Sequence, residues 1–226
     1  MVRFYSTQPF SLTNNKNNVQ QLDGGVLPPW FISGFAFIFS FFLIIILLLP
    51  NNKVIIIKKG KNLAEGSFVI IVRKSVKSRL GWRVEAVFRI GLHKKDLALL
   101  KQIQAYFGGI GSIVKQGEDV YAYRVSYLKE ILSHILPHFY KFPLITKKQG
   151  DYLLWREVVL KMEAKEHLNM DGLQAIVNIR ASINLGLSEE LKTAFPYTVV
   201  VPRPIIENKN RAIPHPEWVA GFATGL

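Results

Sequence analysis

From Ser67 to Phe139 the chain passes twice through one order of local structure: two strands with one apolar face each, then a helix. In Ser67–Arg73, Phe68, Ile70 and Val72 share one face, and Ser67, Val69, Ile71 and Arg73 share the other. In Trp82–Ile90, Val84, Ala86, Phe88 and Ile90 oppose Arg83, Glu85, Val87 and Arg89. A period of two with one apolar side predicts strands buried on one face only. The connection Lys74–Gly81 is polar, basic and long for a tight turn. Leu97, Leu100, Ile103 and Phe107 recur at helical spacing and stop at Gly108-Gly109. Ile110–Gln116 and Val120–Ser126 then flank the turn Gly117-Glu118-Asp119. Tyr121, Tyr123 and Val125 are expected in the core, with Ala122, Arg124 and Ser126 facing away.

More helices follow. Leu128, Ile131, Leu132, Ile135 and Phe139 mark one, interrupted near Pro137; Tyr152, Trp155, Val159 and Met162 mark the next; Leu173, Ile176, Ile179 and Ile183 another. Ser188 is placed to cap a short one with Glu189 and Glu190 in its first turn. This order predicts an α+β fold on an antiparallel sheet. Phe195–Pro216 carries five prolines and no periodicity, and reads as a linker.

One short pattern occurs twice outside this region. Trp30-Phe31-Ile32-Ser33-Gly34-Phe35-Ala36 stands near the start and Trp218-Val219-Ala220-Gly221-Phe222-Ala223-Thr224-Gly225-Leu226 at the end. A detached piece, Ala64-Glu65-Gly66-Ser67-Phe68, follows an apolar and then lysine-rich stretch. Joined to the first copy, it gives WFISGFA-x-AEGSF. This resembles the signature helix of the LAGLIDADG homing endonucleases, in the two-motif, single-chain form of fungal mitochondrial introns. The resemblance covers 28–36 and 64–226. It implies a half-domain of the order helix-strand-strand-helix-strand-strand-helix, whose curved antiparallel sheet forms a DNA-binding saddle. The expected division is an N-terminal tail (1–29), a first signature helix (30–63) interrupted by an apolar insertion (37–63), the half-domain (64–194), a linker (195–216) and the start of a second signature (217–226).

The family's chemistry implies the site. Cutting a DNA strand requires an activated water and a stabilised leaving oxygen, which Mg²⁺ supplies when carboxylates hold it beside the phosphate. By motif position Glu65 is the first such acid; the second would follow Gly225, where Leu226 closes the sequence. The expectation is therefore a truncated or degenerate copy that does not cut double-stranded DNA efficiently. Tyr140 and Tyr197 stand where the family leads one to look for Asp. Phe142-Pro143-Leu144-Ile145-Thr146-Lys147-Lys148 resembles a family stretch whose last lysine lies near the active site, making Lys148 a candidate to stabilise charge at the scissile phosphate. Gly34, Gly221 and Gly225 would let the two signature helices approach closely.

A two-stranded ribbon fits the major groove, where side chains distinguish base pairs by donor and acceptor pattern. The candidate DNA contacts are Ser67, Val69, Ile71, Arg73, Lys77, Arg79, Arg83, Glu85, Arg89, Gln116, Arg124 and Ser126. Arginine suits guanine, glutamine adenine and glutamate cytosine, while Lys74, Lys77 and Arg79 suit phosphates. A formal charge of +13 agrees with a polyanionic partner. On charge alone that partner is nucleic acid or an anionic membrane surface; the resemblance implies double-stranded DNA or, in a maturase-like non-cleaving role, host intron RNA.

Two alternatives use other features. Trp30–Leu49 is uncharged, long enough to span a bilayer, and followed by lysines, so a membrane anchor bearing a basic domain is a competing reading. Residues 1–25 hint at a mitochondrial transit peptide, and a disordered tail explains them equally well. The absence of cysteine excludes disulfide scaffolds, zinc fingers, iron–sulfur sites and cysteine nucleophiles. His93, His134, His138, His167 and His215 are scattered. His134 and His138 are four apart on a helix but lack an evident third ligand, and read as surface histidines. Gly108–Ser112 lacks the lysine of a phosphate loop and reads as a helix stop.

Overall fold

Among the described residues, four strands form one open antiparallel sheet in the order β1-β2-β4-β3. They are β1 (Phe68–Lys74), β2 (Trp82–His93), β3 (Ser112–Lys115) and β4 (Val120–Val125). The computed structural model describes residues 27–36, 68–145, 147–205 and 215–224. The helices are α1 (Pro29–Phe35), α2 (Leu97–Tyr106), α3 (Leu128–Glu130), α4 (Leu136–Lys141), α5 (Lys147–Glu163), α6 (Met170–Arg180), α7 (Glu189–Ala194) and α8 (Pro216–Thr224). A π-helical turn, Ile131–Ile135, joins α3 to α4.

Register follows from the alternation. Phe68 pairs with Phe88, Ile70 with Ala86 and Val72 with Val84, while Ile90 pairs with Tyr123 and Phe88 with Val125. All of these are buried. A slip of one residue would turn this whole set to solvent, so burial of one face fixes the pairing. Phe68 sits among Phe88, Phe139, Tyr152 and Trp155, each ring centroid 5.2 to 5.7 Å from its own. Trp155 also donates its Nε1–H to the Val69 carbonyl at 3.2 Å, tying α5 to the edge strand β1.

The helices end and begin where local chemistry directs. Gly108 and Gly109 stop α2 with φ of 74° and 76°, a conformation costly for residues bearing a Cβ. Ser188 caps α7 by accepting from the Leu191 N–H, as its position predicts. The interruption in the 128–141 helix lies earlier than Pro137. Proline is tolerated in the first turn of a helix, where its missing N–H is not needed; it falls there in α4, and the π turn before it absorbs the mismatch.

Three side chains depart from the alternation. Val87 and Ala122, expected outward, are 2 % and 0 % exposed, and Tyr121, expected in the core, is only half-buried. Val87 lies on β2 between Glu85 and Arg89, and the Arg124 side chain, opposite Arg89, crosses this span to reach Glu85. Long arginine stems cover apolar surface while their heads stay wet.

The proline-rich segment is no free linker over 195–205. Phe195 packs its ring 5.2 Å from Trp82. The Val199 N–H donates to Asn178 Oδ1 at 3.1 Å, Ser182 Oγ donates to the Val201 carbonyl, and Arg203 Nη2 donates to the Ser182 carbonyl at 2.8 Å. The segment is a strap held to α6 and the turn after it by hydrogen bonds between side chains and main-chain groups, which leave no mark on hydrophobic periodicity.

Candidate nucleic-acid interface

One face of the sheet is covered by α2 and α5, with Phe139 of α4 against Phe68 and Phe88 and α6 packed on α5 behind them; the other carries the basic residues. Arg73 on β1 lies directly opposite Arg83 on β2, and Arg89 on β2 opposite Arg124 on β4. Two like-charged pairs facing each other across strands oppose sheet formation. The Glu85 carboxylate compensates three of the four. Its Oε1 lies 2.5 Å from Arg73 Nη2 and 3.1 Å from Arg83 Nε; its Oε2 lies 3.2 Å from Arg124 Nη2. Arg73 and Arg83 remain 57 % and 61 % exposed, whereas Glu85 is 12 % exposed.

The other candidate contacts are spread around this row. Val69 and Ile71 on β1 are half-buried, as is Gln116 just after β3; Ser126 and Lys77 are exposed. Arg79 donates to the Leu168 carbonyl at 3.2 Å, which anchors the β1–β2 loop to the turn before α6. Ser67, Glu65 and Gly225 lie outside the described residues.

The signature pieces meet at α1 and α8. A Cβ on Gly34 would overlap the Trp218 carbonyl oxygen, and a Cβ on Gly221 would overlap the Phe31 carbonyl oxygen. The contact is reciprocal, as an approximate two-fold axis between the helices requires, since Gly34 and Gly221 hold one motif place and Phe31 and Trp218 another. Trp30, Phe31, Ile32 and Phe35 belong to α1, and the last three are buried in the protein core. The front of the apolar Trp30–Leu49 run is therefore consumed by packing; the remainder of the run, from residue 37, lies outside the described residues. No helix among the described residues is long and apolar enough to cross a membrane.

Ser33 fastens α1 to α4. Its hydroxyl donates to the Phe142 carbonyl at 2.6 Å and lies 3.4 Å from His138 Nε2, while the Tyr106 hydroxyl lies 3.0 Å from His138 Nδ1. One proton assignment satisfies all three groups: Tyr106 donates to Nδ1, and Nε2–H donates to Ser33. His138 is thus no surface histidine. It is ringed by Tyr106, Phe107, Phe139 and Phe142, and burial pushes its pKa down to about 3.

Lys148 occupies the first turn of α5 and is 1 % exposed. The Leu144 N–H donates to Gln149 Oε1 at 3.1 Å, which fixes the turn entering this helix. Burial pushes the Lys148 ammonium down to about 8, against the opposing pull of Asp151. Asp151 is 4 % exposed and its pKa is raised by burial. Arg203 from the strap lies 3.1 Å from Asp151 Oδ1 and also lowers the Lys148 pKa. Gly150 admits the strap, since a Cβ there would stand 3.0 Å from both Arg203 Cγ and the Pro204 carbonyl oxygen. Sequence reasoning missed Asp151 and Arg203. The spacing of Asp151, three residues after Lys148 on one helix face, was a usable signal; nothing in the sequence placed Arg203 there. Tyr140 and Tyr197 are both strongly exposed.

Among the described residues no three His, Asp or Glu side chains cluster as metal ligands. The buried carboxylate Asp151 faces two cations, which does not suit a dication. The described residues alone therefore do not assemble a Mg²⁺ site.

Residues 63–159 match the family model described as LAGLIDADG endonuclease. I-SmaMI, a LAGLIDADG homing endonuclease solved bound to cleaved DNA, superposes with a TM-score of 0.74 at 43 % identity, over 89 % of this chain and 58 % of that one. The chain belongs to the LAGLIDADG endonuclease family. Its sequence is 41 % identical, over 71 % of its length, to "Probable intron-encoded endonuclease 3" of Neurospora crassa. It is 38 % identical, over 63 % of its length, to "Uncharacterized 50.9 kDa protein in ND4 intron 1" of Podospora anserina. It spans only 30 % and 26 % of the length of those two proteins.

Proposed function

We propose that this chain carries the DNA-gripping half-domain of a site-specific double-strand homing endonuclease. The observation that supports this most is the row of Arg73, Arg83, Arg89 and Arg124 across three adjacent strands on the face the helices leave open. Guanidinium forks on a two-stranded ribbon match guanine edges in the major groove and phosphate oxygens beside it. Lys77 in the β1–β2 loop is assigned to the backbone. Lys148 is assigned to the charge that builds at the scissile phosphate, since a cation in a dry site acts more strongly there than in water. Glu65 is the carboxylate assigned to Mg²⁺, which when bound makes the attacking water nucleophilic and stabilises the leaving oxygen. The fungal intron relatives support a mitochondrial setting.

The test is binding of the 226-residue chain to a randomised duplex pool at several salt concentrations, with an RNA hairpin and anionic vesicles as competitors. The expected result is selective enrichment of one duplex motif and an affinity that falls steeply with salt, by a log–log slope of about 0.9 per phosphate neutralised. Preferential binding to the hairpin or the vesicles would overturn the assignment.

A further inference from the structure

We propose that Glu85 is a positioning residue that sets the directions of Arg73, Arg83 and Arg124, and so the base preference at several adjacent pairs, without itself touching a base. This rests on the duplex-reading function above. A carboxylate offers about four acceptor sites on two oxygens. Here Oε1 already takes Arg73 at 2.5 Å and Arg83 at 3.1 Å, and Oε2 takes Arg124 at 3.2 Å. A cytosine amino group would have to displace at least one of these charge-assisted bonds, which are stronger than the neutral one it offers. Each guanidinium carries five N–H donors, and Glu85 engages one nitrogen of each arginine. Apart from the buried Arg124 Nε, donors remain for a ligand on side chains that are 57 %, 61 % and 35 % exposed.

The geometry explains why an acid stands in the middle of a basic face. Arg73 and Arg83 are cross-strand neighbours, and Glu85 pairs with Ile71, one step along the same face. Arg124 comes from the other side, its strand paired with β2 around Arg89. One carboxylate thus joins three strands by their side chains. Without it the arginines repel one another, and each long side chain samples many rotamers before binding. Arginine read-out then loses the pre-ordering that makes a bidentate contact selective.

The experiment compares wild type, Glu85→Gln and Arg73→Lys by selection from a randomised duplex pool, with binding to one fixed unrelated duplex in parallel. Glutamine keeps the shape of Glu85 but removes its charge, and matched melting curves identify a folded variant. Glu85→Gln is expected to relax preference at two or more neighbouring pairs, each by roughly fivefold to tenfold. Its affinity for the unrelated duplex should stay equal or rise, because one negative charge is gone. Arg73→Lys should relax a subset of the same positions. A switch at one pair alone, away from cytosine, would show that Glu85 reads a base and overturn the proposal; so would an unchanged motif. A wild-type chain that enriches no motif overturns the duplex-reading function itself, and the role of Glu85 with it.

Discussion

Two buried polar side chains show how differently the core treats a hydroxyl and an imidazole. Tyr123 is fully buried between Phe88 and Phe107, and among the described residues its hydroxyl has no hydrogen-bond partner. A buried unsatisfied hydroxyl costs about 1–3 kcal/mol. Tyr123→Phe is therefore expected to leave stability unchanged or raise it by about 1 kcal/mol, read as a higher denaturant midpoint with an unchanged slope. His138 is the opposite case, with both ring nitrogens partnered. Its folded pKa, about 3, lies below the ordinary value of 6.5. The unfolded chain thus takes up a proton that the folded chain refuses. The stability is present above pH 6.5 and is lost as pH falls toward 3. Unfolding free energy should drop by on the order of 3 kcal/mol between pH 7 and pH 4 from this group. The His138→Gln variant, measured over the same interval, should lose that much less. An equal loss in both would mean His138 does not carry it.

At the level of elements, what could be read from the sequence was whatever repeats. Phe68, Ile70, Val84, Ala86 and Phe88 announce their strands and their burial, and Leu100, Ile103 and Phe107 announce α2, because alternation and helical spacing are statements about a backbone's own symmetry. The strap had no such symmetry. Its place is set by single bonds from Val199, Ser182 and Arg203, and one-off hydrogen bonds leave no period. The candidate site divides the same way. Lys148 became a candidate through the resemblance of its local stretch, while the Arg203 guanidinium beside Asp151 comes from a distant segment. Arg203→Ala should raise the Lys148 pKa above about 8, since Arg203 is among the charges holding it down. Titration of ¹³C-labelled lysine signals by NMR would read the change. The same variant leaves the Asp151 carboxyl buried beside one cation fewer, and should raise its pKa as well.

For the whole molecule, charge and sheet geometry make one prediction together. With a formal charge of +13, the chain should bind any duplex weakly and at long range. Replacing Arg83 by alanine should weaken selected binding by about 1–3 kcal/mol if it contacts a base; if it contacts phosphate, all duplexes should weaken alike and the salt slope should fall by about one. Parallel titrations against the selected and the unrelated duplex separate the two.

The reciprocal contact between α1 and α8 has an evolutionary corollary. What meets a Cβ at Gly34 or Gly221 is a main-chain oxygen, of Trp218 or Phe31. Every amino acid carries that oxygen. No exchange of side chain at 218 can therefore make room for alanine at 34, nor at 31 for alanine at 221. Gly34→Ala should cost about 1–3 kcal/mol in unfolding free energy, even though alanine favours helix by about 1 kcal/mol over glycine. A library of second-site changes at 218 should contain no suppressor. A lineage can redraw the arginine row one residue at a time, but these two positions have no partner with which to drift.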